Sequence, residues 1–189
     1  MEKLEIIGYK RANLGKANAR ELRKEAMVPA VVYGGKQHIH CVIPMIMFKK
    51  LVYTPEVYEV ELNIEGDIYR CILQDIQFHP VNEIILHADF LELDENKPVK
   101  LEVPLRLVGS APGVQKGGKL FQKIERVKVK ALPKNLPSQV TVDVSGLDLG
   151  KSVRISDAKA EGFEILTNPA VTVATVTVPR ELKGKTNEA

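Results

Sequence analysis

No run of apolar residues in this sequence approaches the roughly 18 that a membrane-spanning helix needs. The first ten residues, MEKLEIIGYK, mix acid and base and lack the apolar segment of a secretory signal, which predicts a cytoplasmic protein. Cysteine is scarce: Cys41 and Cys71 make no disulfide framework and read as two free thiols. Tryptophan is absent and the aromatic share is 5%, yet 44% of the residues are hydrophobic, enough for a packed core rather than a disordered chain. Zinc-type pairs are missing too. The HIHC stretch at 38–41 lacks C-x-x-C or H-x-x-x-H spacing, and along a strand His38 and His40 would share one face while Cys41 takes the other. No metal or other cofactor is expected.

What is present is charge, unevenly placed. Residues 1–50 carry ten Lys/Arg against four Asp/Glu, residues 51–95 one against eleven, and residues 96–189 sixteen against nine. The net charge is only +3, so any attraction to a polyanion belongs to particular surfaces and not to the whole molecule.

Hydrophobic periodicity predicts a mainly β protein with a few short helices. LEIIGYKRA reads as a strand, and NLGKANARELRKEA as a helix entered through Asn13 or Gly15 and closed before Val28-Pro29. AVVY is a short β-branched run ending at a Gly34-Gly35 turn, and Pro44 can open a helix over MIMFKKLVY. VYEVELNIEG, DIYRCILQDIQF and NEIILHADFLEL alternate as strands, with a hairpin turn at 65–67. The polar DENKP joint suggests one domain over 1–94 and another over 95–179, with a loose tail at 180–189. The second domain has short strands, turn residues and no convincing helix, the pattern of an all-β sandwich or barrel.

Three features carry chemistry. At about 100° per residue, Lys16, Arg20, Arg23 and Lys24 fall within an arc of roughly 100°, while Ala19, Leu22 and Ala26 lie on another side. Like charges four apart oppose helix formation by about 0.2–0.5 kcal/mol per pair, offset in part by Glu21 three before Lys24, so the basic face is either a surface for a phosphate backbone or a solvated face. Tyr33, at the lip of the glycine turn, is either a half-buried core tyrosine or a ring and hydroxyl offered to a ribose or base. His87 and Asp89 are two apart on one strand and therefore share a face. They could form a catalytic pair, but no Ser or Cys nucleophile lies near them in sequence. A structural pair or an RNA contact accounts for them equally well, and no catalytic residue is assigned. A further basic run at 116–134, with seven Lys/Arg against one Glu, is either a second polyanion surface or the solvated side of a sheet.

The combination RANLGKANARELRKEAMVPAVVYGGK, LQDIQFHPVNEIILHADF and VPLRLVGSAPGVQKGGKL resembles the bacterial ribosomal large-subunit protein L-twenty-five family, in the long form of the general stress protein Ctc type. The likeness runs from the first strand to about Pro179. It implies an N-terminal β-barrel that binds 5S rRNA, followed by a β-rich second domain. It also implies a place in the large subunit beside other ribosomal proteins, and a monomer off the ribosome. By the same resemblance Arg11 and Arg20 meet phosphates with Lys16 beside them, Tyr33 meets a ribose or base, and His87 with Asp89 meets an RNA groove. One departure stands at Glu25-Ala26-Met27, where many relatives have a glycine before Val-Pro. It bears on how the helix ends.

Overall fold

The computed structural model describes residues 1–160 and 162–178, so the tail expected at 180–189 lies outside the described residues. The chain divides into two compact units, Met1–Val99 with Leu132–Ser138, and Lys100–Ala131 with the residues from Gln139 on.

The first unit is a closed six-stranded barrel. Its elements are β1 (Glu2–Lys10), α1 (Lys16–Lys24), β2 (Met27–Tyr33), β3 (Ile39–Pro44), α2 (Phe48–Tyr53), β4 (Tyr58–Ile64), β5 (Asp67–Phe78) and β6 (Ile85–Glu92). The strand order is β1-β3-β2-β6-β5-β4, and β1 pairs in parallel with β4 from Glu2↔Tyr58 to Gly8↔Ile64, which leaves no open edge. Alternation drives the closure. On β4, Tyr58, Val60, Leu62 and Ile64 point inward and are buried, whereas Glu59, Glu61 and Asn63 point out. The β4–β5 hairpin turns on Glu65 (φ 54°) and Gly66 (φ 104°), the two left-handed positions of a type I′ turn. Phe48 of α2 and Phe90 of β6 are both fully buried, with ring centroids 6.2 Å apart, and anchor the core. Cys41 and Cys71 are free and buried in the same core, which pushes both thiols up to about 12, so they remain neutral.

The helix over MIMFKKLVY begins as a 3-10 turn, Met45–Met47, before α2. The end of α1 differs in cause from the sequence expectation. Ala26 takes a left-handed backbone (φ 56°), its N–H donates to Arg23 O at 3.3 Å, and the chain reverses into β2 at Met27. Pro29 therefore ends nothing and lies inside β2. Pairing with β6 starts only at Ala30, so the missing N–H of Pro29 interrupts no ladder on that side.

The second unit holds β7 (Val99–Val108), the single turn α3 (Pro112–Gln115), β8 (Lys119–Gln122), β9 (Arg126–Ala131), β10 (Val140–Asp143), β11 (Ser152–Arg154), β12 (Glu164–Ile165) and β13 (Thr172–Thr177). They form a four-stranded sheet, β10-β7-β9-β12, and a three-stranded sheet, β11-β13-β8. Both contribute to the buried set: Val103, Val127, Val129 and Val142 from the first, Val153, Val173, Ala174 and Val176 from the second. Two elements of this unit, α3 and β8, are missing from the sequence reading, as is β3 of the barrel. The turn α3 forms inside the expected loop, where Gly113 and Gly118 leave no space for a Cβ beside Val176. The strand β8 has all four residues exposed and so gives no burial signal in its sequence.

Candidate nucleic-acid interface

The site on the barrel starts from α1. None of its nine residues is fully buried; Asn18, Ala19, Leu22 and Arg23 are half-buried, and Lys16, Arg20 and Lys24 are exposed. Ala26, expected on the core side with Ala19 and Leu22, is exposed because the helix has already ended. The helix packs against β2, and a side-chain bond ties it to β6: Arg23 Nε donates to Leu86 O at 2.9 Å. Arg23 sits only about 40° around the helix from Ala19, which explains why it turns inward while its three basic neighbours do not. Among the described residues, none of Lys16, Arg20 and Lys24 has a carboxylate partner within 4 Å. The exposed face of α1 is a cationic strip with Glu21 and Glu25 beside it on the helix, neither of them within 4 Å of its charges.

Arg11, just past β1, holds the helix entry. Its Nη2 donates to Asn18 Oδ1 at 3.1 Å and to Asn13 O at 3.3 Å, while its buried Nε has no partner.

Strand register assembles the other side chains. β2 and β6 run in parallel, with Val31↔Asp89 and Tyr33↔Leu91, so Tyr33, His87 and Asp89 share the outer face of adjacent strands. Ala88 and Phe90, between them, are buried in the core. His87 Nδ1 lies 2.6 Å from Asp89 Oδ1, with both side chains about one-third exposed. The two side chains make a close polar contact on the outer face of β6. No hydroxyl or thiol is bonded to this pair among the described residues, so the arrangement activates no nucleophile. Tyr33 is partly desolvated and lies near Asp89 and Asp75. Burial first, then those two carboxylates, hold its hydroxyl above the usual tyrosine range, so it remains a hydrogen-bond donor at neutral pH.

Two residues that the sequence reading did not single out adjoin this group. On β5, Asp75 pairs with Asp89 and Gln77 with His87, and both are exposed. Alternation within DIYRCILQDIQF sets them on one face, but their alignment with β6 follows from a register shifted twice, between Leu73 and Asp75 and between Gln77 and Phe78.

The two glycines after β2 serve the packing of the barrel itself. The space at Gly34 (φ 98°) and Gly35 is filled by this chain's own β6. A Cβ on Gly34 would meet Leu91 Cδ1 at 2.6 Å, and one on Gly35 would meet the Glu92 carboxylate. They bring β2 close to β6 and so place Tyr33 beside Asp89.

From Leu86, where Arg23 docks, to Leu91, opposite Tyr33, the strand covers about 16 Å. The surface thus runs from a cationic helix to a polar, hydrogen-bonding strand pair. The acidic block of residues 51–95 lies partly elsewhere on the barrel, where Glu59 pairs with Arg70 (2.7 Å) and Glu61 with Lys3 (2.5 Å). Among the described residues no group of His, Cys, Asp and Glu could hold a metal, and no helix is long and apolar enough to cross a membrane.

Comparison with known proteins follows the two units. Residues 6–90 match the model of the Ribosomal L25p family, and residues 98–180 match that of the ribosomal protein TL5 C-terminal domain. The chain is 53% identical to the large ribosomal subunit protein bL25 of Amoebophilus asiaticus, over 100% of this chain and 96% of that protein. It is 48% identical to the protein of the same name from Cytophaga hutchinsonii, over 97% and 95%, and 42% identical to that from Phocaeicola vulgatus, over 97% and 96%.

Proposed function

Taking as premise that this chain belongs to the Ribosomal L25p family, and is thereby a structural component of the large ribosomal subunit and no enzyme, we propose that it binds 5S rRNA through the α1–β2–β6 face of its barrel. The observation that carries this reading is the exposed cationic strip of Lys16, Arg20 and Lys24, on a helix docked to β6, together with the close His87–Asp89 contact on that strand. Such a strip gains affinity from releasing counterions off a phosphate backbone, and it carries no sequence information. Register comes from the strands. Tyr33 donates its hydroxyl, His87 presents its imidazole, and the Asp89 carboxylate accepts from an amino or hydroxyl group in a groove. Arg11 adds a half-buried guanidinium beside the strip, held at the helix entry by Asn13 and Asn18. Arg23 is different: its proposed RNA contact is secondary to docking α1 on β6. The protein would act as a monomer when free and in the cytoplasm when assembled, next to other proteins of the subunit.

The test is a gel shift of the full chain with 5S rRNA, with tRNA as competitor. Binding that tRNA does not displace, and that joint Arg20→Ala, Tyr33→Ala and His87→Ala replacement abolishes, is the expected result. Unchanged affinity in the triple variant rules out the site.

A further inference from the structure

The basic run at 116–134 divides in the fold. Lys116 lies 2.9 Å from Asp148, Lys128 3.7 Å from Glu102, Lys130 3.8 Å from Glu164 and Lys134 2.8 Å from Glu95. The cations left without a carboxylate among the described residues are Lys119, Lys123 and Arg126. The first two flank Phe121, which is 53% exposed.

β8 is an edge of the three-stranded sheet, and its alternation sets Lys119 and Phe121, with Lys123 next along the chain, on the outer face. Register carries that face across the sheet. Phe121 is opposite Thr175, and Thr175 is opposite Ser152, with the two hydroxyls 3.0 Å apart; Lys119 is opposite Thr177. Arg154 of β11 pairs with Thr172 after a register shift and is exposed. The inner face is Ala174, Val176 and Val153, all buried. No carboxylate occurs on β8, β11 or β13, and Asp157, after β11, is bonded to the Arg154 N–H and the Ser156 hydroxyl. The strand is fixed in place: Gln122 Nε2 donates to Leu105 O (3.1 Å) and Ile124 O (2.9 Å).

An exposed aromatic ring on a sheet whose strands carry hydroxyls and no carboxylate, bordered by Lys119, Lys123 and Arg154, is the chemistry of a stacking platform for unpaired nucleotides. A solvated sheet face would not need an exposed aromatic residue on its edge strand, and a face for another protein would gain little from cations with no acid on its strands. We propose that the outer face of β8-β13-β11 is a second RNA-binding surface, on which a single-stranded or looped RNA stacks a base on Phe121 and sets its phosphates on Lys119, Lys123 and Arg154. Lys119 and Lys123 are about 13 Å apart along the strand, which leaves room for a nucleotide between them. This surface is separate from the barrel face and does not depend on which RNA that face holds.

The experiment uses the full chain carrying Lys16→Ala, Arg20→Ala, Lys24→Ala, Tyr33→Ala and His87→Ala, so that the barrel face is silent, titrated with fluorescein-labelled oligouridine of roughly ten nucleotides. Binding should be salt-sensitive, and adding Phe121→Ala should weaken it about fivefold to a hundredfold. Phe121→Trp should retain it. Lys119→Ala with Lys123→Ala should reduce the salt slope by about 0.7 per cation. Because Phe121 is half exposed, its replacement is compatible with folding, and a retained urea midpoint confirms that in each variant. Absence of oligouridine binding at low salt, or binding indifferent to Phe121→Ala, overturns the proposal. In intact large subunits, ultraviolet cross-linking should give a nucleotide adduct within 119–123, and a protein cross-link there without any nucleotide adduct also overturns it. Loss of 5S rRNA binding by the barrel variant, or its persistence, bears on the barrel site alone.

Discussion

Two basic surfaces that look alike in sequence differ once strands are paired. On α1, Lys16, Arg20 and Lys24 project from a helix and have no carboxylate within 4 Å among the described residues. On β9, Lys128 and Lys130 alternate outward just as cleanly, but β-sheet neighbours bring Glu102 and Glu164 within 4 Å. The same charge count therefore has different consequences. An exposed ion pair contributes only about 0–1 kcal/mol to stability, yet it removes most of the local field that a polyanion would feel. The helix keeps its field and bears a small cost in self-repulsion for it. What separates the two surfaces here is the partner strand, which no local reading of the charges supplies.

Replacing Lys16, Arg20 and Lys24 together by alanine should produce the largest effect, a loss of 5S rRNA affinity on the order of a hundredfold at roughly 0.15 M salt. Loss of the same size on replacing Lys128 and Lys130 would erase the distinction between the two surfaces. Next comes Arg23, which separates holding the helix from touching RNA. Arg23→Ala should lower unfolding stability by about 1–3 kcal/mol, because Leu86 O loses its charged donor, whereas Arg20→Ala should stay within about 0.5 kcal/mol. Urea denaturation reads both, and a larger loss at Arg20 would place the structural role on the wrong residue. Ala26→Gly should raise stability by about 0.5–1 kcal/mol through relief of the left-handed backbone, offset in part by a more flexible unfolded chain. A lower urea midpoint in that variant would mean that the helix ends in some other way. Smallest of all, Lys128→Ala with Lys130→Ala should change stability by under about 1 kcal/mol and 5S rRNA affinity by less than about threefold.

Much of the barrel was legible because its strands alternate. DIYRCILQDIQF matches β5 from first residue to last, and the Glu65-Gly66 turn follows from the two positive φ values that turn demands. The segregation of Lys16, Arg20 and Lys24 from Leu22 was also local, and it survives in the fold. Non-local facts were hidden. Nothing in GGK said that Glu92 would lie over Gly35, nor did the helical arc say that Arg23 would find the Leu86 carbonyl 63 residues later in the chain. Asp75 and Gln77 escaped because a register with two shifts decides what they adjoin. β8 was missed for a related reason: an exposed edge strand has no buried face to impress a pattern on its sequence. Pro29 misled because a proline after a helix reads as its terminator, when Ala26 had already turned the chain.

The central claim is that the α1 face, and not β9, carries the electrostatic part of 5S rRNA binding. The most direct measurement is the slope of log affinity against log salt for three proteins: the parent chain, the Lys16/Arg20/Lys24 alanine variant and the Lys128/Lys130 alanine variant. The slope should become shallower by about 2–3 in the helix variant, close to one per lost phosphate contact, and match the parent in the strand variant. A slope unchanged by the helix substitutions, or reduced as much by the strand substitutions, would contradict the account.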